Sequence, residues 1–449
     1  MMNRPSLREL LLAGAACTVL GLSGCGMGGS PTSSAPVTVT GAALQGVFMG
    51  GQQAVAGVTV QLYQAGTTGY GSAATPLGPS VKTTASGNFN LPSYTCSAGS
   101  QVYLVGTGGQ PIAAVGNTPA VTNNNLAMMV GLGTCGGMYL SGFINVNELT
   151  TVATVWALAP FMTGIANIGS SSTNSAGLAN AFAAINELVT TANGTISGPT
   201  LPAGATLPVT EINTLGDILE QCINSAGGTA GDSSNCGNLF SLAPNAAGTV
   251  YPTDTITAAM NIAQTPGRNV ALLNKLRSSS PVFQPALNVN TPPSAWTIAI
   301  TYIGGGLSTP TSIAADATGA VWVSNSGNSS VTKLDNTGAA VSGSNGFIAG
   351  GFSSPSAIAI DTSGNAWVAN AGNNTVTMLN STGASGTVFS GNGLSTPRSI
   401  AIDGSGDVWV ANAGSNAVSA FTSSGSVLAG SPYSGAGTSA PASVAITPK

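Results

Sequence analysis

"SIAIDGSGDVWVANAGSNAVSAF" occupies residues 399–421, and two closely similar stretches precede it in the chain. They read "SIAADATGAVWVSNSGNSSVTKL" at 312–334 and "AIAIDTSGNAWVANAGNNTVTML" at 357–379. Each stretch has a short alternating run, a tight Asp-x-x-Gly turn, a second run around a tryptophan, another turn and a third run. The alternation predicts three short β-strands in each unit.

The spacing of the units predicts propeller blades. Trp322, Trp367 and Trp409 are separated by 45 and 42 residues, and the Gly-rich tail of each unit leaves room for a fourth strand. A period in this range is typical of β-propellers. The units resemble those of NHL-repeat and streptogramin-lyase-like β-propellers, whose pattern is close to "P-x-x-IA-x-D-x-x-G-x-x-WVAN". The resemblance covers residues 290–449 and implies an architecture rather than one function.

Two residue types recur at equivalent positions of the repeat. Asp316, Asp361 and Asp403 stand at the tight turns, where a carboxylate accepts hydrogen bonds from backbone N–H groups. The rival interpretation is a cation site of the kind that related lactonase-like propellers hold, and we favour the turn role because every blade needs a turn. The repeat tryptophans are predicted to pack in the core between blades rather than to stack on a sugar.

The number of units leaves two arrangements open. Three full units fit between Pro310 and Ser439, and the following "APASVAITPK" supplies a further first strand. Upstream, residues 296–302 fit one outer strand. Pairing of these two end strands would close a small ring with a reduced fourth blade. Otherwise the propeller stays open, and its free edges invite a second chain.

The N-terminus, "MMNRPSLRELLLAGAACTVLGLSGCGMGG" at residues 1–29, predicts export. Two arginines precede an apolar run that is too short for a comfortable membrane span. Leu22-Ser23-Gly24-Cys25 resembles a bacterial lipobox, which implies that residues 1–24 are a signal peptide and that Cys25 is lipidated. Because glycine follows the cysteine, the resemblance implies the outer membrane. Residues 25–38 are Gly, Ser, Pro and Thr rich and predict a flexible tether.

Four further cysteines predict two disulfides in an exported chain. Cys96 and Cys135 lie in one compositional region, and Cys222 and Cys236 lie in another, so we expect local pairing within each region. A metal site is the rival interpretation, but the chain has no CxxC motif and no histidine.

The segments before the repeat predict two more domains, which makes the expected fold multidomain and mainly β. Residues 39–140 alternate and resemble the carboxypeptidase regulatory-like, transthyretin-like β-sandwich, through "AVAGVTVQLYQAG" and "TTASGNFNLPSY". Residues 141–289 show helical spacing and predict a central α-helical domain. The C-terminal segment, 290–449, then forms a partial or small propeller.

Composition and site residues together favour a non-enzymatic protein. Charged residues make up 5% of the chain and the net charge is −4, which excludes a basic nucleic-acid footprint. The chain has no histidine, the usual general base near neutral pH. The helical carboxylates Glu148, Glu187, Glu211, Asp217 and Glu220 are interpreted as solvated helix faces. We expect no catalytic residue, no metal and no cofactor.

We therefore expect a binding or scaffold lipoprotein of the cell envelope. Its expected partners are the membrane, through the lipid at Cys25, and a protein or glycan, with a second copy of the chain as a further option. The alternative is a propeller enzyme, a metal-dependent lactonase or lyase acting on an envelope or dietary substrate.

Overall fold

The computed structural model describes residues 37–111, 120–137, 142–435 and 437–446. The chain divides into two units, Met1–Val37 and Thr38–Lys449, and the elements below all belong to the second unit. The second unit is mainly β, as the sequence predicts. The predicted signal peptide 1–24, Cys25 and nearly all of the predicted tether lie outside the described residues. None of the helices in the described part of the chain combines the length and the apolar character needed to cross a membrane.

Ten strands make up the first part of the second unit. They are β1 (Thr38–Gly41), β2 (Leu44–Gly50), β3 (Gln53–Ala54), β4 (Thr59–Gln64), β5 (Thr75–Lys82), β6 (Asn88–Leu91), β7 (Tyr94–Ser97), β8 (Gln101–Thr107), β9 (Ala127–Thr134) and β10 (Ile144–Val146). One antiparallel sheet has the order β5-β4-β8-β9. In the second sheet, β2 pairs with β10 in parallel and with β3 and β6 antiparallel.

The two sheets pack through alternating apolar residues. Val60 and Leu62 on β4 are fully buried, as period-two alternation dictates. The ring of Phe48 on β2 packs against Gly106 on β8, where an added Cβ would lie 2.2 Å from the ring. Glycine at this position therefore lets the two sheets approach each other. The Cys96–Cys135 disulfide joins β7 to the end of β9, with 6.2 Å between the Cα atoms.

Helices and two short hairpins follow the sheets. Their bounds are α1 (Glu148–Leu158), β11 (Met162–Gly164), β12 (Asn167–Ile168), α2 (Ser175–Leu188), β13 (Val189–Thr190), β14 (Thr195–Ile196), α3 (Val209–Ile223), α4 (Asn235–Leu242), α5 (Thr255–Gln264) and α6 (Val270–Leu273), with 3₁₀ turns at Ala159–Phe161 and Ser172–Asn174. Asn147 begins α1 with a reciprocal capping box to Thr150. The Cys222–Cys236 disulfide joins the end of α3 to the start of α4.

The free edge of β9 is covered by the helices. Its outward backbone N–H groups donate to threonine hydroxyls: Met129 to Thr151 of α1 at 3.1 Å and Gly131 to Thr154 of α1 at 3.0 Å. The N–H of Ala127 donates to Thr255 of α5 at 2.9 Å. An exposed strand edge would otherwise offer these donors to another chain. The helices and the sheets consequently share one hydrophobic core, which reaches as far as Trp296.

The three repeats form three antiparallel sheets, which we name blade 1, blade 2 and blade 3. Their strands are β15 (Pro310–Ala315), β16 (Val321–Asn325) and β17 (Ser330–Leu334) in blade 1, β18 (Pro355–Ile360), β19 (Ala366–Asn370), β20 (Thr375–Leu379) and β21 (Gly386–Ser390) in blade 2, and β22 (Pro397–Ile402), β23 (Val408–Asn412), β24 (Ala417–Phe421) and β25 (Tyr433–Ser434) in blade 3. The register between the first two strands is the same in all three blades, with the same irregularity after the proline.

Consecutive blades are joined through their first strands. The hydroxyl of Thr311 in blade 1 donates to the carbonyl of Pro355 in blade 2 at 2.7 Å. The hydroxyl of Ser356 in blade 2 donates to the carbonyl of Pro397 in blade 3 at 2.6 Å. Two apolar clusters lie between the blades, one at each junction. The blades therefore stack in chain order.

The ends of the stack do not pair with each other in the described residues. Thr301 forms a bridge with Thr206, and the indole N–H of Trp156 donates to the carbonyl of Trp296 at 2.8 Å. Residues 296–302 thus lie against the helical part and not against the C-terminal segment. Pairing of the two end strands into a reduced fourth blade is wrong for this part of the chain, because the upstream segment already has another partner.

Replacing Thr151 with valine tests the covered edge of β9. The isosteric change removes the acceptor of the buried N–H of Met129, and an unsatisfied buried donor costs about 1–3 kcal/mol. We expect the free energy of unfolding, measured by denaturant titration, to fall by that amount. Thr67→Val on an exposed loop is the control, with an expected change within about 0.5 kcal/mol. Equal stability of both variants would contradict the role of the hydroxyl.

Candidate functional site

Each blade contains the same aspartate–tryptophan hydrogen bond. The indole N–H of Trp322 donates to Asp316 at 3.0 Å, that of Trp367 to Asp361 at 3.1 Å and that of Trp409 to Asp403 at 3.0 Å. The other carboxylate oxygen accepts backbone N–H groups of the turn, two and four residues on. One side chain thus holds both the turn and the neighbouring strand.

The three aspartates sit in three separate turns. The oxygens of Asp316 are occupied by hydrogen bonds and by an ion pair with Lys333 at 3.4 Å. Burial alone would raise the pKa of Asp316, but hydrogen bonds from Thr318 and Trp322 outweigh it and lower the pKa to about 2. Within the described ranges, no group of three or more His, Cys, Asp or Glu side chains could hold a metal ion.

Each repeat tryptophan contacts an aromatic residue on the outer side of the same blade. Trp322 contacts Phe347 with 5.9 Å between ring centroids, and Trp367 stacks on Phe389 at 5.4 Å. Trp409 stacks on Tyr433 at 5.5 Å. Trp322 and Trp367 are fully buried, whereas Trp409 is partly exposed. The tryptophans of the first two blades therefore lie in the inter-blade core.

Two of these aromatic rings, in blades 1 and 2, each cover a glycine of the next blade. Phe347 lies over Gly383 and Phe389 lies over Gly425, where an added Cβ would come within 2.2 and 2.0 Å of the rings. Both glycines also have positive φ, +74° and +84°. The positive φ and the overlying ring therefore each require glycine at this position. The sequence signal for this contact is a turn glycine that recurs after the third strand of each unit, but the repeat alone does not show which ring covers it.

Tyr302 occupies the same aromatic position ahead of blade 1. Its ring lies over Gly338, where an added Cβ would be 1.8 Å away, as Phe347 lies over Gly383. Its hydroxyl donates to Glu187 of α2 at 2.7 Å. Burial raises the pKa of Glu187, and the hydrogen bond from Tyr302 opposes that rise. The segment before the repeats thus supplies the outer position of a blade that would precede blade 1, and α2 holds that residue in place.

A cavity of about 610 Å³ lies on the face of blade 1 that precedes the stack. Its apolar floor and polar rim are formed by Tyr302, Leu307, Pro310, Thr311, Ser312, Ile313, Gly319, Val321, Val323, Leu334, Asp335, Asn336 and Gly338. We call this surface the free face of blade 1. It corresponds to the surface on which blades 2 and 3 receive the blade before them.

The exposed fraction of Ile313 shows how open this face is. It is 68% exposed, whereas its equivalents Ile358 in blade 2 and Ile400 in blade 3 are 5% and 8% exposed. An isoleucine in the same register is thus covered in blades 2 and 3 and exposed in blade 1. Val323 and Leu334 form the floor beneath it. The free face is consequently an apolar binding surface with polar groups at its edge.

The helical carboxylates do not form one solvated face. Glu148, Glu187 and Asp217 are buried, so the interpretation as solvated helix faces is wrong for these three. Both oxygens of Glu148 accept from the N–H of Gly51, at 2.8 and 3.0 Å, at the start of α1. Burial raises the pKa of Glu148 to about 8. Asp217 accepts from the N–H of Phe283, and burial raises its pKa to about 6.

The fold and the site define a mainly β protein with a stack of repeated antiparallel blades and one free blade face. No known family model matches the chain, and no curated protein matches it either. Solved structures do match part of it, and they include β-propeller proteins.

Three of these structures show the extent of the similarity. A streptogramin B lyase is 20% identical, with a TM-score of 0.26, over 31% of this chain and 44% of that chain. The virginiamycin B lyase of Staphylococcus aureus is 17% identical, with a TM-score of 0.25, over 29% and 42%. A nidogen/laminin complex is 15% identical, with a TM-score of 0.25, over 30% and 52%. This chain spans less than half of either lyase, and at this similarity their activity does not transfer.

Replacing Asp361 with alanine tests the aspartate–tryptophan hydrogen bond. The change leaves the buried indole N–H of Trp367 and two turn N–H groups without their acceptor. We expect the free energy of unfolding to fall by about 3 kcal/mol, since hydrogen bonds to charged groups are worth about 1.5–3 kcal/mol. Denaturant titration followed by tryptophan fluorescence measures the loss.

Asp407→Ala is the control, because Asp407 is a partly exposed carboxylate in the corresponding turn of blade 3. Its expected effect is within about 0.5 kcal/mol. A loss of the same size in both variants would show that the hydrogen bond to the tryptophan carries no special weight.

Replacing Glu148 with glutamine tests the buried carboxyl group. Its folded pKa, about 8, lies above the ordinary value of 4.5, so the folded state retains a proton that the unfolded state loses. Stability is therefore complete below pH 4.5 and falls as the pH rises toward 8, by up to about 1.4 kcal/mol per unit. We expect Glu148→Gln to flatten this fall in denaturant titrations between pH 5 and 8.

Asp217 and Glu187, whose pKa values burial also raises, should keep a smaller slope in the variant. Glu211→Gln, on a partly exposed position of α3, is the control and should keep the wild-type slope. Parallel pH profiles for the wild type and Glu148→Gln would disprove the assignment.

Proposed function

We propose that this chain is an exported cell-envelope lipoprotein that acts as a non-enzymatic binding or scaffold protein. The signal-like N-terminus and the lipobox at Cys25 support export and anchoring, with the outer membrane as the location. In this proposal, residues 39–140 are a transthyretin-like β-sandwich, 141–289 a helical domain and 290–449 a small propeller. The tether at 25–38 would hold these domains away from the lipid.

The exposure of Ile313 is the observation that carries the proposal. An apolar side chain that is covered in two repeats and open in the third marks a surface built for a neighbour. The polar rim at Thr311, Asp335 and Asn336 offers hydrogen-bonding groups around that surface. An apolar centre with a polar rim is the usual anatomy of a protein-binding surface.

An extended protein segment is the partner that the free face fits best. In blades 2 and 3 the corresponding surface receives a β-strand of the preceding blade, and the contact combines apolar packing with hydroxyl-to-carbonyl hydrogen bonds. A partner strand would repeat both kinds of contact. A glycan would use the rim but would leave Ile313 and the apolar floor without a matching surface.

The lactonase or lyase alternative receives no support from the described residues. The chain has no histidine, and the carboxylates of Asp316, Asp361 and Asp403 are engaged in turns of separate blades. The buried Glu148 accepts from a backbone N–H inside the fold.

Photo-crosslinking at Ile313 tests the binding function. The full chain, with benzoylphenylalanine in place of Ile313, is expressed and irradiated in intact cells, and adducts are resolved by mass spectrometry. We expect a discrete protein adduct because the free face is covered by its partner. Ile348 is the matched control position, since it is 66% exposed but does not line the cavity.

An adduct from position 313 and none from position 348 supports the proposal. The absence of any protein adduct at 313, or equal adducts at both positions, would overturn it.

A further inference from the structure

The C-terminal segment carries the sequence of a blade's first strand. Residues 441–446 read "PASVAI", which matches "PTSIAA" at 310–315, "PSAIAI" at 355–360 and "PRSIAI" at 397–402. The segment also docks in the corresponding way, although it forms no ladder of its own. The N–H of Val444 donates to the hydroxyl of Ser399 in blade 3 at 3.2 Å, as the N–H of Ile358 donates to that of Ser312 at 3.3 Å.

This segment has one side free. Ala442, Ser443 and Ala445 are exposed, although the matching positions of blades 1 and 2 face the next blade. Thr311 and Ser312 in blade 1, for example, both bond to blade 2. The described part of the chain therefore ends its stack with a segment that has the sequence of a first strand and no following blade face against it.

The free face of blade 1 has no first strand of a preceding blade packed against it in the described residues. Tyr302 already occupies the outer aromatic position of a preceding blade, over Gly338. The cavity of about 610 Å³ lies where the first strand of that blade would pack, beside Pro310 and Ile313. One end of the stack thus offers a first strand, and the other end has a cavity in the position of a first strand.

We infer that residues 441–446 of a second copy of this chain occupy the cavity on the free face of blade 1. The inference rests on the proposed function, because it names the partner of that same surface. By the register of the internal junctions, the hydroxyl of Ser443 in one copy accepts from the N–H of Ile313 in the other. Neither the strand nor the apolar floor carries a charge, so no charge repulsion opposes the contact.

The contact is reciprocal when two copies meet. Each copy inserts its C-terminal segment into the cavity of the other, which is a closed two-fold arrangement. From the described residues of the two copies, the resulting ring contains six full blades and two reduced ones. Each reduced blade combines the C-terminal segment of one copy with the segment that contains Tyr302 in the other.

Paired cysteines test the register directly. The full chain with Ile313→Cys and Ser443→Cys is purified from membranes in detergent, oxidised and analysed on non-reducing gels. At the internal junction the backbone nitrogen of Ile358 lies 3.3 Å from the hydroxyl of Ser312, so the two residues that correspond to positions 313 and 443 are in direct contact. We expect a covalent dimer of doubled mass, at least tenfold more abundant than in the Ile348→Cys/Ser443→Cys control.

A second pair of cysteines is the positive control for disulfide formation. Ser399→Cys with Val444→Cys joins the equivalent positions inside one chain, so it should give a cross-linked monomer. A cross-linked monomer in the positive-control pair without a dimer in the test pair overturns the inference. An internal bond between positions 313 and 443 also overturns it, because the strand would then fill the cavity of its own chain. A ladder of higher multiples overturns the closed ring.

Sedimentation equilibrium of the full chain provides an independent measurement. We expect Ile313→Glu to halve the average protein mass, because a carboxylate cannot be buried against the apolar floor. Ile348→Glu should keep the doubled mass, and both variants should keep the far-UV circular dichroism spectrum of the wild type. A dimer that persists in Ile313→Glu overturns the inference. A foreign-protein adduct at position 313 without self-adducts would leave the binding function intact and overturn only the second copy as partner.

Discussion

The hydrogen bond from each repeat tryptophan to the repeat aspartate is the constraint on which the blade stack depends. It fixes the indole ring of Trp367, for instance, against a charged oxygen in a buried setting, where leaving the N–H unpaired would be costly. The fixed ring stacks on Phe389, and Phe389 covers Gly425 of the next blade. The hydrogen bond inside one blade thus positions, through the stacked aromatic ring, the turn glycine of the following blade.

The same series of contacts joins the stack to the rest of the chain. Its first aromatic residue, Tyr302, lies outside the repeats and is held by the carboxylate of Glu187 on α2. Threonine hydroxyls cover the edge of β9 in a similar way. In the described residues there is a single ion pair, Lys333 with Asp316. Hydrogen bonds from hydroxyl and amide groups therefore hold the elements together where other proteins use ion pairs. This agrees with a chain in which only 5% of the residues are charged.

The sequence predicts those features that depend on local order or on repetition. Local pairing of the cysteines gives the two disulfides that the structure contains, and the mainly β character follows from the alternating runs. The burial of Glu148 and Asp217 could not be predicted, because helical spacing shows which residues share a face but not what packs on it. Similarly, residues 296–302 show a strand-like pattern, but Thr206, which forms a bridge with Thr301, is far away in the sequence.

The repeats make the free face interpretable, since each blade is a reference for the others. Covering one isoleucine is worth about 1.5–3 kcal/mol, whereas association costs about 4–15 kcal/mol. Ile313 alone therefore cannot hold a partner. The whole face must be matched, including Val321, Val323 and Leu334, by a surface of the kind that precedes blades 2 and 3. This requirement favours a strand with small apolar residues over a single inserted side chain or a small polar ligand.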